Sequence, residues 1–536
     1  MNVSGKLPKR RRRGSGISGG AAILAAGLFL SCKVPDRLWV DYGSFPEPER
    51  SALAAILTPA GPEKPEFTPG TGTEPGTIRL RYERRFITWE ESGAEIFSGS
   101  GVFFPLSRTA MVPCGEVWEG KNGIDPKAAA LSGWETEANR GGTPWKLIPL
   151  RDLAPPYVAF KAGGLNVSDP QYPLVLTGGL LFEYDGENLQ GAKRRRIEKK
   201  IAGLARLVTE ACKDRGEPYE ERPRLYRIAA GGDAMLARGV EELLFAQGPE
   251  AVLGETAAFI KGADLSLINL EGAVTDRGEQ AANKTYTFRF KPRTAAALKD
   301  AGIDAALIAN NHAFDFGLRG FLDTLDHLKG AGIAPLGGGP DSAAAAAPFV
   351  TGEGALPVRV FGIASFGRER TGWDGLAFAA DVKNPGILHA GRGGAGLIKT
   401  LMQNDPGLDI VLFHGGIEYS DYPDEETRNL YTDLIAAGAD LVIGTHPHVE
   451  QGFEWVRGKP VFWSLGDYVF NEMDDTPGGD KGLFIVLWFL IPSGGEKTRL
   501  VYMDPYPVFM NRERTVLLPD RQLERFYRLT KELAGF

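Results

Sequence analysis

From about residue 225 onward, short apolar runs alternate with segments in which apolar residues recur at helical spacing. The runs predicted as strands are 225–230, 264–269, 304–309, 358–364, 409–413 and 440–443. The segments predicted as helices are 249–261, 294–302, 318–329, 395–403 and 425–438. Alternation of this kind predicts an α/β domain in which helices cover the faces of a sheet.

The preceding part of the chain has a different pattern. Runs at 77–86, 95–104, 112–118, 145–150, 157–160 and 174–184 are rich in β-branched and aromatic residues and are broken by Gly and Pro, as strands are. A charged segment at 191–213 has helical spacing, which favours a solvated helix. We therefore predict a linker at 33–69, a mostly β accessory domain at 70–220, an α/β domain at 225–510 and a C-terminal helix within 511–536.

The N-terminus, residues 1–32, has the pattern of an export signal. A cationic run at 9–13 precedes an apolar run at 21–30 that is too short to cross a bilayer. A small residue and then Cys32 follow, which predicts lipidation of Cys32 and anchoring of an exported protein at the membrane. Cleavage without lipid and an uncleaved short anchor are the alternatives.

Composition narrows the classes of partner. The chain has 536 residues and a net charge of -7, which argues against a nucleic-acid partner and leaves small charged substrates open. Of the three Cys residues, Cys114 and Cys212 would remain in a lipidated product. They can pair in an oxidising compartment or remain as buried thiols.

Polar side chains with metal-binding chemistry follow the predicted strands one after another. They are Asp233, Asn269, Glu271, Asn311, His312, His414, His446 and His448. Carboxylate, amide and imidazole groups form a mixed oxygen and nitrogen set that suits Zn, Mn or Fe. There are enough ligands for one ion or for a close pair. His446 and His448, on an extended strand end, are expected to point to one side.

The stretch 310–317 follows a strand and opens a helix, where scaffolds of this type present their chemistry. Asp315, three residues after His312, is placed to orient the imidazole ring and fix its tautomer. The remaining His residues, His327 and His389, fall outside the strand ends and are interpreted as ordinary helix or loop residues.

Five motifs, at 232–238, 269–272, 310–317, 414–416 and 444–449, resemble the bacterial capsule-synthesis CapA family, which is associated with poly-γ-glutamate. The segment 464–470 also fits that family. The resemblance covers about 225–510. It implies an α/β fold similar to calcineurin-like metallophosphatases, a four-layer αββα sandwich.

The resemblance also implies roles for individual residues. Asp233 and His448 would bind a first metal, Asn311, His414 and His446 would bind a second, and Glu271 would bridge the two metals. His312 would act as acid or anion stabiliser and would be oriented by Asp315. The residues that would contact substrate are Arg238, Asn269 and Asn310. An ion pair on the following helix is an alternative for Arg238. Met235 stands where metallophosphatases have a His ligand, which weakens the first site.

Two functions follow from this resemblance. In the first, the protein is an exported, membrane-anchored, metal-dependent hydrolase or transferase in capsule or poly-γ-glutamate metabolism, acting at a phosphate or amide centre beside the capsule-synthesis machinery. In the second, it is a non-catalytic surface protein that binds or exports an anionic polymer.

Overall fold

The structure is a computed structural model. It describes residues 37–40, 77–92, 96–98, 101–116, 146–155, 157–159, 162, 165–183, 195, 199 and 222–535, with gaps at 353–355, 403–404, 406, 474–478 and 492–496. The predicted signal segment with Cys32, most of the predicted linker, nearly all of the charged helix at 191–213, and Cys212 lie outside the described residues.

The chain divides into two compact units. The first contains residues 1–112, 125–134 and 165–222, and the second contains 113–124, 135–164 and 223–536. The elements before residue 184 are β1 (Arg37–Val40), β2 (Thr77–Ile87), α1 (Trp89–Ser92), β3 (Ile96–Ser98), β4 (Gly101–Glu116), β5 (Lys146–Pro149), β6 (Tyr157–Ala159) and β7 (Val175–Glu183).

In the first unit the strands form one sheet with the order β1-β2-β7-β4-β3. The mostly β character predicted for this part is confirmed over the described residues. The predicted strand 95–104 is instead a pair of antiparallel strands, because Ile96 pairs with Phe103 and Ser98 with Gly101. The predicted domain boundaries stay a prediction.

The second unit carries the alternating pattern. Its strands are β8 (Arg224–Met235), β9 (Leu265–Leu270), β10 (Ala273–Val274), β11 (Arg289–Phe290), β12 (Ala305–Leu307), β13 (Ala334–Leu336), β14 (Gly338–Gly339), β15 (Phe349–Thr351), β16 (Val358–Ser365), β17 (Gly386–Ile387), β18 (Leu408–Gly415), β19 (Leu441–Thr445), β20 (Glu450–Val456), β21 (Lys459–Leu465), β22 (Asp467–Phe470), β23 (Lys481–Ile491), β24 (Arg499–Asn511) and β25 (Arg514–Leu517).

Its helices are α2 (Val240–Gln247), α3 (Pro249–Leu253), α4 (Thr256–Lys261), α5 (Arg293–Ala301), α6 (Gly317–Ala331), α7 (Ser342–Ala346), α8 (Gly394–Leu401), α9 (Glu425–Ala437) and α10 (Glu524–Leu533). Short 3-10 helices cover Leu150–Asp152, Gly375–Phe378, Ala390–Arg392 and Asp520–Leu523. Among the described helices, none is both long enough and apolar enough to cross a membrane.

Two sheets dominate the second unit. The first has the order β13-β12-β9-β8-β23-β24-β25, with β22 also paired to β8, and the second has the order β15-β16-β18-β19-β21-β20. Strands β8, β9 and β12 are parallel to one another, as are β16, β18 and β19. The carboxyl ends of neighbouring parallel strands meet at one edge, and this is where such sheets usually bind ligands.

Alternate residues of the second sheet face opposite layers. Val360 and Leu412 belong to a core shared with the first sheet, whereas Phe361 and Phe413 belong to a second core with helices α8 and α9. Helices α2, α5 and α6 pack on the first sheet within the larger core. The four-layer αββα arrangement predicted from the sequence is therefore confirmed.

The single helix predicted at 249–261 is wrong, since the chain forms α3 and α4 there. Gly254 separates them with φ of 56° and ψ of -137°, a backbone conformation that Gly adopts much more readily than other residues. A Cβ at Gly254 would lie 2.3 Å from the Thr515 carbonyl oxygen, so the break also brings the backbone against β25.

Candidate metal centre

The predicted polar residues come together at the carboxyl ends of the parallel strands of both sheets. Asp233 lies in β8, Asn269 in β9 and His414 in β18, each fully or almost fully buried. Glu271, Asn311, His446 and His448 follow the ends of β9, β12 and β19 and are also buried. The sequence predicts a shared site because these side chains follow successive strands. In the structure they lie together.

Asp233 forms hydrogen bonds with several parts of the site. Its Oδ1 accepts a hydrogen bond from Asn269 Nδ2 at 2.7 Å, and its Oδ2 accepts one from the His446 backbone N–H at 3.0 Å. The preceding Gly232 allows the backbone to approach closely, because a Cβ there would lie 1.9 Å from the Gly466 carbonyl oxygen. Asp233 itself donates its N–H to that oxygen at 3.0 Å.

Asp233, Glu271 and His448 form a group whose ligand atoms lie within 4.8 Å of one another. Glu271 Oε1 is 3.9 Å from His448 Nε2, and His448 Nδ1 is 3.5 Å from Asp233 Oδ2. Asp467 Oδ1 accepts a hydrogen bond from His448 Nδ1 at 2.7 Å. This contact orients the ring so that Nε2 faces Glu271.

A second group surrounds His414. Its Nε2 lies 3.1 Å from Asn311 Oδ1 and 3.1 Å from His446 Nδ1. On its other side, Nδ1 lies 3.1 Å from Asn269 Nδ2 and 3.1 Å from Thr445 Oγ1. One oxygen and two nitrogens of the predicted second-metal set therefore converge at this position.

The conformation expected for His446 and His448 is wrong. Neither residue is in an extended strand, since β19 ends at Thr445 and their φ angles are 98° and 58°. Both lie in a turn with positive φ, a conformation that costs energy for residues other than Gly and often occurs at functional sites. This turn, rather than strand alternation, brings both rings toward the site.

His312 and Asp315 form the pair expected from the sequence. His312 Nδ1 lies 2.7 Å from Asp315 Oδ2, while His312 Nε2 lies 3.6 Å from Glu271 Oε1. The ring stacks on Phe288 with centroids 4.3 Å apart. Asp315 also accepts hydrogen bonds from the Phe288 N–H at 2.6 Å and from Lys284 Nζ at 2.7 Å.

The three residues predicted to contact substrate occupy different environments. Asn310 and Asn269 are buried and bond each other, Asn310 Nδ2 to Asn269 Oδ1, at 3.0 Å. Arg238 is partly exposed, lies 5.2 Å above the Phe288 ring and donates to the Asn471 carbonyl oxygen at 2.9 Å. The alternative considered from the sequence is an ion pair with a residue of the following helix. Arg238 does form an ion pair, but with Glu472, which is not on that helix, and its Nε lies 3.5 Å from Glu472 Oε2.

Met235 offers no ligand to the site. Its side chain is buried in the larger hydrophobic core, and its Sδ accepts a hydrogen bond from the Ala237 N–H at 3.2 Å. His389 is also occupied elsewhere, because its Nδ1 accepts from the Gly391 N–H at 3.1 Å.

Burial and neighbouring charge displace the pKa values of the acids. Burial raises the pKa of Glu271 well above its usual range, and the carboxylate of Asp233 adds to this effect. Burial also raises the pKa of Asp467 to about 7, with His448 opposing the change. Burial acts on Asp233 in the same direction, but the hydrogen bond and charge of His414 hold its pKa below the usual range.

The histidines are displaced in two directions. Burial lowers the pKa of His312 to about 4 and also lowers the pKa values of His414 and His446. Burial would lower the pKa of His448 too, but the carboxylates of Asp467 and Glu271 outweigh it and raise that pKa. A metal binds neutral imidazole and ionised carboxylate, so His414 and His446 are in the state that binds an ion, whereas an ion at Glu271 and His448 would have to displace a proton from each.

The residues present fit a divalent ion. Within the described part of the chain, Glu271 Oε1 is buried without a hydrogen-bond partner, and so is Asp467 Oδ2. Several carboxylates buried together need a cation beside them. Oxygen and imidazole ligands suit Zn, Mn or Fe, so the site could hold a divalent metal.

Sequence reasoning missed three residues beside this site. Asp467 follows Gly466 just as Asp233 follows Gly232, and this repetition could have identified it. Lys284 lies in a segment without apolar periodicity, and nothing in that segment predicts that Lys284 lies beside the site. Glu418 follows the motif at 414–416. It forms a third group with His446 and His448, and the ligand atoms of this group also lie within 4.8 Å of one another.

Comparison with known proteins shows what the part of the chain around this site is similar to. Residues 227–472 match the family described as Bacterial capsule synthesis protein PGA_cap. The chain is 30% identical over 244 residues to the PGA biosynthesis protein CapA of Bacillus subtilis, covering 45% of this chain and 62% of that protein. It is 29% identical over 306 residues to a probable polyglutamine synthesis accessory protein of Mycobacterium tuberculosis, covering 48% of this chain and 76% of that protein.

Among solved structures, the protein TT1561 of Thermus thermophilus matches 49% of this chain and 94% of its own, at 16% identity and a TM-score of 0.27. The chain spans less than two thirds of the Bacillus subtilis relative. Over residues 227–472, the chain is similar to the bacterial capsule synthesis protein PGA_cap family.

Proposed function

We propose that this protein is a metal-dependent hydrolase or transferase in capsule or poly-γ-glutamate synthesis. The observation that carries the proposal is the convergence of Asp233, Glu271 and His448 at one buried position. The relatives named for capsule or polyglutamate biosynthesis support the polymer context. In this role the protein would work beside the capsule-synthesis machinery as its partner.

Two adjacent positions would hold metal. Asp233, Glu271 and His448 would hold the first, and Asn311, His414 and His446 the second. The two sets are linked, since the His446 N–H donates to Asp233 and Asn269 contacts both Asp233 and His414. One or two ions of Zn, Mn or Fe would suit these ligands.

A bound divalent ion would supply Lewis-acid chemistry and an acidified water at neutral pH. His312 would move the proton, because its Nδ1 faces Asp315 and leaves Nε2 toward the acids. Asp315 would keep the tautomer in which Nδ1 carries the proton, so that Nε2 can accept one and return it to a leaving group.

Arg238 would bind an anionic group of the substrate. It lies over Phe288, whose ring also stacks on His312, and part of its side chain is exposed. A guanidinium can bind a carboxylate or phosphate through two hydrogen bonds. Of the other residues predicted as substrate contacts, Asn269 would also hold Asp233 through a hydrogen bond, and Asn310 would hold Asn269.

Metal content followed by turnover tests the proposal. Purified protein would be equilibrated with Mn²⁺ or Zn²⁺, analysed for bound metal, and assayed with p-nitrophenyl phosphate and with a γ-glutamyl anilide. We expect bound metal and turnover of one substrate class. Bound metal with no turnover of either substrate would favour the alternative, a polymer-binding surface protein, which is also favoured by Met235 because it supplies no ligand to the first metal position.

Export and anchoring through Cys32 belong to the same proposal. A lipid-anchored protein on the outer face of the membrane would be close to a polymer that leaves the cell. The pattern of residues 1–32 supports this location.

A further inference from the structure

A loop after β18 is fastened to the turn that carries His446 and His448. The Tyr419 backbone N–H donates to the Pro447 carbonyl oxygen at 2.8 Å. The Tyr419 ring stacks on His448 with centroids 5.9 Å apart. Gly416 and Tyr419 have φ of 104° and 60°, so the loop takes a specific path over the turn. Glu418 is therefore held beside the two histidines.

Glu418 differs from the other acids of the centre. It is exposed, and within the described residues its carboxylate makes no hydrogen bond or ion pair. One of its oxygens and one nitrogen of each of His446 and His448 lie within 4.8 Å of one another. Glu418 is the exposed member of this group, whereas His446 and His448 are buried, as are Asp233 and Glu271.

The nitrogen atoms left for an ion can be identified. His446 Nδ1 faces His414, and His448 Nδ1 faces Asp467, which leaves Nε2 of both rings. The Nε2 of His448 also lies 3.9 Å from Glu271 Oε1. Since one nitrogen binds one ion, the buried position and a position beside Glu418 are alternatives for His448.

We propose that Glu418, His446 and His448 form an outer metal position for a divalent ion of the Zn²⁺ or Mn²⁺ type. Three protein ligands of mixed imidazole and carboxylate chemistry, with the solvent side open, are typical of a site that also binds water or substrate. The inference rests on the proposed function, because both positions use His448. Met235, in β8 of the first sheet, supplies no ligand. Glu418, which follows β18 of the second sheet, would supply one.

Equilibrium binding of Co²⁺ to the whole chain, followed by its visible absorption, tests this position. The variants are Glu418→Gln and, as a matched control, Glu426→Gln, which changes an exposed acid on α9. We expect Glu418→Gln to weaken Co²⁺ binding roughly tenfold or more and to change the absorption band, because even losses outside the ligand shell cost about 10–100-fold. Glu426→Gln should match the parent.

Glu271→Gln removes an acid of the first position and leaves the outer position unchanged. In that background we expect residual Co²⁺ binding, which the double variant with Glu418→Gln should lower further, because only the position of Asn311, His414 and His446 would remain. Binding curves for Glu418→Gln that superimpose on the parent would overturn the inference, and the proposed function would stand if His446→Ala still lost the metal. A parent that binds no Co²⁺ would overturn both. Glu418 is exposed, so its single variant remains informative if Glu271→Gln fails to fold.

Discussion

Lys284 and Asp315 form an ion pair in the interior of the protein. Lys284 Nζ lies 2.7 Å from Asp315 Oδ1, and the side chains are 1% and 0% exposed. The same ammonium group donates to the Asn311 carbonyl oxygen and lies 4.1 Å from the centroid of the Trp373 ring. One buried cation therefore contacts the acid that orients His312 and the backbone of a candidate metal ligand.

Replacing Lys284 by Met should destabilise the protein strongly. Met keeps much of the length of the side chain but leaves Asp315 as a buried charge without its cation, a change that typically costs about 3–5 kcal/mol. Urea unfolding followed by circular dichroism would measure the loss. The control is Lys261→Met, which removes an exposed ion pair with Glu250 and should change stability little. Equal effects of the two variants would contradict the buried role of Lys284.

Asp467 should tune metal affinity without binding the ion. It holds His448 through Nδ1 at 2.7 Å, and removal of such a partner typically costs about 10–100-fold in affinity. Asp467→Asn should therefore weaken Zn²⁺ binding in a competition titration with a chelator. Asp326→Asn, on the exposed face of α6, is the control and should match the parent. Unchanged affinity for Asp467→Asn would mean that His448 does not hold the ion.

The strands were predictable because the pattern that marks them is local. Every residue of β18 is buried, and apart from Asp409, which pairs with Arg359, it appears in the sequence as an apolar run that ends in His414. The order of strand ends then predicted the candidate ligands. The break at Gly254 was not predictable, since helical spacing continues across it and the contact with Thr515 comes from a distant strand.

The side chains that hold the ligands were harder to predict. Lys284 lies between β10 and β11, and its burial depends on Trp373 and Asp315, which are distant in sequence. The positive φ of His446 and His448 depends on how the turn meets β8 and the loop of Tyr419. Local patterns carry no information about such contacts.

Replacing Cys32 by Ala should release the protein from the membrane fraction. The predicted acyl chains on Cys32 would be the anchor, and without them the short apolar run at 21–30 cannot cross a bilayer. Fractionation and immunoblotting of cells that express parent and variant would measure this. Cys114→Ala serves as the control and should stay with the membrane. A Cys32→Ala protein that remains membrane-bound and unprocessed would favour an uncleaved anchor.

The sharpest prediction separates metal binding from proton transfer within the centre. His446→Ala removes an imidazole that lies 3.1 Å from His414 Nε2, so most metal should be lost. His312→Ala should keep most of the metal, because His312 faces Asp315 and Glu271 rather than the His414 group, and should lose turnover. Metal analysis by mass spectrometry and turnover with the substrate class that the parent hydrolyses would be measured on both variants.

The matched control is His327→Ala, which removes an imidazole from α6 and should leave metal content and turnover at the parent level. Loss of metal in His312→Ala as severe as in His446→Ala would place His312 among the ligands and remove its role in proton transfer. Equal, near-zero metal in the parent and all three variants would contradict the metallohydrolase proposal. Protonation of Glu271 and of His448, whose pKa values are both raised, would then balance the buried charge of Asp233, and the polymer-binding alternative would remain.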